Sequence, residues 1–246
     1  MENDLIRRAE DLLERCERTG TVTATTFLTP AEVHRLSVWA KQRGCALLLH
    51  GGAENTERKI GFFLPDWMAP EDFDAAEELR AVRLSHRFGT LSHRDYLGAL
   101  MGLGIRREWL GDILVDDEGA TLICLKSIEP HLLTLEQVGR WGVKAAPIPL
   151  SDVTPPARRV RAVSFTVQSA RLDAVTAGLF RISRTAAAER IRIGDVHLNY
   201  ELCQRPDAAA EPGDIISLRG SGKAQLTEIG GQSRKGRIFL SGEIWL

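Results

Sequence analysis

The stretch Arg171–Val196, RLDAVTAGLFRISRTAAAERIRIGDV, reads as two short helices feeding a strand. Leu172, Val175 and Leu179 fall on one face of the first helix, which the spacing predicts over Arg171–Phe180. Ser183 stands as an N-cap before a second helix, Arg184–Ile193, which Gly194 ends. Arg184 is thereby set where helix amides are unpaired and the dipole favours an anion. At 100° per residue, Arg192 lies only about 80° round the helix from it. Two guanidiniums on neighbouring parts of one surface suit phosphate, because each planar fork can grip two oxygens at once. Asp173 reads as a local cap or as a carboxylate orienting an arginine, and Gly194 permits the tight passage into the following strand.

Downstream, Val196–Tyr200, Asp214–Arg219, Ala224–Ile229 and Arg237–Leu246 read as strands of a small curled sheet, so that residues 160–246 form one compact domain. The ordered set Arg171-Leu172-Asp173, Ser183-Arg184, Ile191-Arg192-Ile193-Gly194-Asp195-Val196, Asn199 and Gly213-Asp214-Ile215-Ile216-Ser217 resembles the S4 RNA-binding pattern in order and spacing. That resemblance implies RNA contacts from Arg171, Ser183, Arg184, Arg192 and Asn199. A second basic cluster lies in Arg219-Gly-Ser-Gly-Lys223 and Ser233-Arg234-Lys235-Gly236-Arg237. Its glycines let backbone amides approach a phosphate chain, and Arg219, Lys223, Arg234, Lys235 and Arg237 neutralise it. The glycines do not have the GxxxxGK[ST] spacing of a nucleotide-binding loop.

Charge divides the chain the same way. From Arg158 onward there are 14 Lys/Arg against 9 Asp/Glu, and before it 18 against 24, so a basic module of +5 follows an acidic one of −6. Between them, Ser151-Asp-Val-Thr-Pro-Pro-Ala157 carries two consecutive prolines that forbid a helix and favour a stiff, extended connector.

Upstream of that hinge the order of elements is informative. Strands are expected at Ala81–Ser85, Gly111–Val115, Ala120–Leu125 and Val143–Leu150, with helices at Ser92–Met101 and Leu132–Trp141, the latter capped by Gly142. This β-α-β-β-α-β order over residues 79–152 is that of a ferredoxin-like plait, a fold shared by many RNA-recognition domains but also by enzymes. No run of aromatic and basic residues like those that stack bases accompanies it. Residues 1–78 read as a small α/β region: an amphipathic first helix, a second opened by Thr29-Pro30 and closed at Gly44, and paired strands around Gly51-Gly52. The fold class is thus α+β.

Several segments together resemble the YlmH family over essentially the whole chain. They are Gly51-Gly52 with Glu57-Arg58, the long run His93–Arg107 with Gly111-Asp112-Ile113, and Arg219-Gly220 through Gly236-Arg237. The resemblance implies an N-terminal region, a central plait that binds RNA and a terminal S4 domain. It also implies 23S rRNA or tRNA, the large ribosomal subunit and a quality-control factor as partners, with tRNA stabilised while alanine tails are added to stalled chains. Members in some bacteria are linked to cell division. Arg94, Arg106 and Arg107 in the long run are secondary candidates for RNA contact. Ser221, Ala224 and Ala188 stand where the family commonly has an arginine, an aromatic or a further lysine, which implies weaker attraction for free RNA.

Other function classes find less support. S4 domains also accompany pseudouridine synthases, methyltransferases and tyrosyl-tRNA synthetases, but the residues upstream hold none of the motifs those catalytic domains need, and no catalytic residue is assigned. Gly102-Leu-Gly104 follows a helix and lacks a third glycine, so it is no dinucleotide fingerprint. The six histidines and four cysteines show no metal-ligand spacing, so no metal or cofactor is expected. No apolar run reaches the roughly 18 residues of a membrane helix, and the first twenty residues have no signal-peptide core, which points to the cytoplasm. An adaptor for the division machinery, docking proteins through its acidic part, is the remaining alternative.

Overall fold

The computed structural model describes residues 2–155, 159–232 and 236–246, which form two compact units, Met1–Pro156 and Ala157–Leu246.

In the first unit, α1 (Glu2–Thr19) leads through β1 (Thr23–Ala24) to α2 (Pro30–Arg43). Thr29 and Glu32 close a capping box at the start of α2, and Gly44 ends it in a left-handed conformation (φ 71°), which a residue with a Cβ adopts only under strain. Two strands follow, β2 (Leu47–His50) and β3 (Ile60–Phe63), and the small antiparallel sheet has the order β1-β3-β2. Every residue of the central strand β3 is buried. Phe63 points towards α1 and α2, among Ala9, Leu13, Cys16 and Leu36, whereas Phe62 points the other way, to Phe27, Leu79, Ala81 and Ile123.

The plait comprises β4 (Leu79–Ser85), α3 (His93–Gly102), β5 (Leu110–Asp116), β6 (Gly119–Leu125), α4 (Glu129–Leu132), β7 (Gln137–Val138), β8 (Trp141–Gly142) and β9 (Lys144–Ile148). Its four-stranded antiparallel sheet has the order β5-β6-β4-β9, which is the ferredoxin-like arrangement. Ser92 and Asp95 form the capping box of α3. Val82, Leu84, Leu122 and Cys124 pack beneath Tyr96 and Leu100 of α3 and Leu132 of α4. The alternate residues Leu79, Ala81 and Ile123 face the core around Phe62, so the helix-free side of the plait is partly covered from within the unit.

One expected element is different. The helix anticipated over Leu132–Trp141 is a single turn, Glu129–Leu132, followed by a hairpin in which Val138 pairs with Trp141. Gly139 takes a positive φ of 59° and turns the chain back, so the leucine and valine spacing that mimics a helix serves a turn and a strand instead. Gly142 is a strand residue there, not a helix cap. Trp141 lies so close to Gly89 that a Cβ at that position would meet its ring at 2.3 Å.

The second unit opens with β10 (Val160–Val167), then α5 (Leu172–Phe180), α6 (Arg184–Arg192), β11 (Val196–Leu198), β12 (Glu201–Leu202), β13 (Ile215–Leu218), β14 (Gly222–Gln232) and β15 (Ile238–Trp245). All neighbours in its six-stranded sheet, β10-β15-β14-β13-β11-β12, are antiparallel. Leu172, Val175 and Leu179 of α5 and Ile191 of α6 cover one face of the sheet, against Val163, Ile216, Leu226 and Leu240. The strand anticipated to run to Tyr200 ends at Leu198, because Asn199 and Tyr200 both adopt positive φ (51° and 70°) and form a two-residue hairpin turn.

Candidate nucleic-acid interface

The residues of the second unit that carry charge are organised by two carboxylates. Asp173, in the first turn of α5, has a side chain only 7% exposed and accepts from Arg184 Nη2 at 3.0 and 3.2 Å. Arg171 Nε lies 3.5 Å from the same carboxylate. Both arginines stay accessible, at 50% and 43%, so one buried anion fixes two half-exposed cations beside the N-terminus of α6. Ser183 serves that terminus directly, its hydroxyl accepting from the amide of Ala186 at 3.1 Å. Among the described residues Arg184 makes its hydrogen bonds through Nη2.

Asp195 does the same at the far end of α6. It takes a hydrogen bond from Arg190 Nε and lies 3.9 Å from Arg219 Nη1, while Arg190 Nη2 donates to the carbonyl of Arg219. Arg219 is 84% exposed and Arg192 is also exposed. Sequence reasoning did not select Arg190, because its link to Asp195 spans five residues across Gly194 and follows no helical spacing. Arg192 stands eight residues after Arg184, which at about 1.5 Å per residue puts the two roughly 12 Å apart along the helix.

Asn199 is held at the hairpin tip. Its Nδ2 donates to Asp214 Oδ1 at 2.7 Å and its Oδ1 accepts from the Ile215 amide at 2.9 Å, so its side chain ties the turn between β11 and β12 to the start of β13. Lys223 extends over two rings, 5.3 Å from the centroid of Tyr200 and 5.4 Å from that of Trp245. Arg237 lies exposed just before β15, its Nη2 donating to the Thr166 carbonyl of β10. Arg184 and Arg237, far apart in sequence, line one cleft of about 380 Å³ between β10 and α5. Arg234 and Lys235 lie outside the described residues.

The secondary candidates belong to the first unit. Arg94 is exposed in the first turn of α3. Arg106 pairs with Glu108 and stacks over Trp109, 5.2 Å from the ring. Arg107 is directed inward: its Nη1 donates to the carbonyls of Leu110 and Gly111 at 2.7 and 2.9 Å. Burial, then the charge of neighbouring Arg58, lowers its pKa to about 10. Arg58 itself donates to the carbonyls of Phe27, Leu110 and Arg107, and Asp112 accepts from the amides of Glu57 and Arg58 at 2.6 and 3.1 Å. These two arginines therefore tie loops of the first unit together.

Among the described residues no group of three or more His, Cys, Asp or Glu could hold a metal ion. The four cysteines are free thiols, and burial pushes Cys124 up to about 12. No helix among the described residues is long and apolar enough to cross a membrane.

Comparison with known proteins accords with this architecture. Residues 69–152 match a family model described as "Putative RNA-binding domain in YlmH". The chain is 35% identical over 212 residues to the ribosome-associated protein quality control protein P2 of Bacillus subtilis (strain 168), covering 86% of this chain and 82% of that relative. The solved structure of the cell division protein ylmH from Streptococcus pneumoniae superimposes with a TM-score of 0.54 at 22% identity, over 61% of this chain and 93% of the other, a likeness of fold. Identity of that extent, over more than four fifths of both sequences and spanning both units, shows that the chain belongs to the YlmH family.

Proposed function

We propose that this protein binds structured RNA, rRNA or tRNA on the large ribosomal subunit, and holds it in place without chemistry of its own. The observation that carries the reading is the pair Arg171 and Arg184, fixed on the buried carboxylate of Asp173 at the start of α6. A guanidinium preset in this way loses little freedom when it meets a phosphate. Arg192, Arg219, Lys223 and Arg237 extend the positive surface of the same unit. In this reading residues 160–246 are the S4 RNA-binding domain, 79–152 the plait and 1–78 an N-terminal region.

The plait is the weaker anchor within its own unit. Its helix-free sheet face, the one by which many domains of this architecture stack bases, contributes Leu79, Ala81 and Ile123 to a buried core. The name of the Bacillus relative supports a place in ribosome-associated quality control; in this reading the protein works in the cytoplasm beside another quality-control factor.

Sedimentation of a cell extract on a sucrose gradient tests the reading. The protein should travel with the large subunit and move to the top of the gradient after nuclease treatment or with Arg184→Ala. Partner proteins that stay bound after nuclease, with no large-subunit peak, would establish the protein-docking adaptor instead.

A further inference from the structure

The cleft between β10 and α5 has features that phosphate attraction alone does not need. Its lining includes Ala174, Ala177 and Ile182 beside the two guanidiniums of Arg184 and Arg237. It exists because α5 lies hard against β10 at one point and carries small side chains next to it. A Cβ on Gly178 would sit 2.1 Å from the ring of Phe165, so the helix and strand touch there, and the alanines leave space beside the contact. Arg237 is held at the rim by its bond to the Thr166 carbonyl, and Arg184 by Asp173.

At about 380 Å³ the volume is at the small end of ligand sites, which run from roughly 300 to 1,000 Å³. A duplex cannot enter such a space, whereas one base can. We propose that this cleft receives a single unpaired nucleotide extruded from the bound RNA, its base against Ala174, Ala177 and Ile182 and its phosphate between Arg184 and Arg237. The inference rests on the RNA-binding reading and adds to it a preference for RNA that has a bulged or looped-out position. Extruding a base is least costly where it has no pairing partner, and that difference supplies the selectivity.

The test uses the full chain and two RNA hairpins of matched stem sequence. One carries a bulged 2-aminopurine; in the other the same nucleotide is paired. The bulged hairpin should bind about tenfold more tightly, and its fluorescence should rise on binding as the base leaves the stack. Ala177→Leu fills the cleft without altering charge, at a partly exposed position where leucine is a good helix former. It should abolish both the preference and the fluorescence rise while leaving affinity for the paired hairpin unchanged. Equal affinity of the unaltered protein for both hairpins, with no fluorescence change, overturns the nucleotide site but leaves RNA binding standing. Binding to neither hairpin overturns the RNA-binding reading together with this one.

Discussion

Asp173 and Arg184, eleven residues apart on consecutive helices, are joined by two hydrogen bonds from a single guanidinium nitrogen, at 3.0 and 3.2 Å, to a carboxylate that is almost wholly buried. The same arginine thus orders the helix pair while half of its side chain stays exposed. Helix propensity alone would let alanine replace Arg184 at no cost, but the carboxylate left behind would keep, among the described residues, Arg171 as its one ion-pair partner.

Arg184→Ala should therefore lower stability by about 1 kcal/mol, since one partner of the pair is half exposed. RNA affinity should fall further, by roughly ten- to a hundredfold, as a charge-assisted contact worth about 1.5–3 kcal/mol is lost. Arg184→Lys should recover part of the affinity, keeping the charge without the fork. Thermal melts beside filter-binding titrations separate the two effects. A full loss of stability with no change in affinity would make Arg184 a purely structural residue.

Binding to structured RNA should weaken steeply with salt. For about five phosphate contacts the slope of log affinity against log salt is expected near −4, and Arg184→Ala should make it shallower by about one. Arg107→Ala should leave the slope alone and lower the melting temperature instead, because its guanidinium is committed to the Leu110 and Gly111 carbonyls.

In the first unit, Arg83 grips Asp116 with two bonds of 2.7 Å, and this holds the carboxyl down at about 2. A depressed carboxyl pKa contributes stability above its unfolded value, near 4, and that contribution is lost as pH falls towards about 2. Asp116→Asn should remove this part of the acid sensitivity, by no more than about 1 kcal/mol, as Asp116 is largely exposed. Urea titrations at pH 3 and pH 6 with both proteins would reveal it. An unchanged difference between the two pH values would refute the assignment.

Cys124 offers the opposite sign. Burial lifts its thiol to about 12 from an ordinary value of 9, so the neutral form is favoured in the fold, and stability should decline as pH rises from about 9 towards 12. At pH 8 a thiol reagent should modify the partly exposed Cys45 and Cys203 first, whereas Cys124 should react only as the unit unfolds. Rapid labelling of Cys124 in the native protein, followed by mass spectrometry, would contradict its burial.

Much of this was legible in the sequence because it depends on local signals. Thr29-Pro30, Ser92 and Ser183 announce helix starts by short side-chain bonds that need no tertiary partner. Alternation in β4 and β6 gives the sheet of the plait, since both strands bury residues in the helix-side core at every second position. The segment after Leu132 misled for the same reason: Leu133, Val138 and Trp141 satisfy helical spacing, and only the positive φ at Gly139, set by pairing of Val138 with Trp141, decides against it. The candidate site divides in like manner. Arg184 is marked by its position after a cap, but Arg190 and the inward turn of Arg107 depend on carboxylates and carbonyls reached through the fold. Asn199 stood out by its place in an ordered pattern, which carries no information on whether its amide faces solvent or, as found, pins a hairpin.

The back-to-back phenylalanines of β3 have a consequence for dissecting the protein. Phe62 and Phe63 are neighbours in the chain but belong to different cores, so a slip of one residue in this strand would disturb both at once. The match to the family model begins at residue 69, yet Leu79, Ala81 and Ile123 have Phe62 and Phe27 as neighbours from before that point. An excised plait would carry a bare apolar surface where those rings had been and would be prone to self-association. The start of that match therefore falls short of where the polypeptide can be cut.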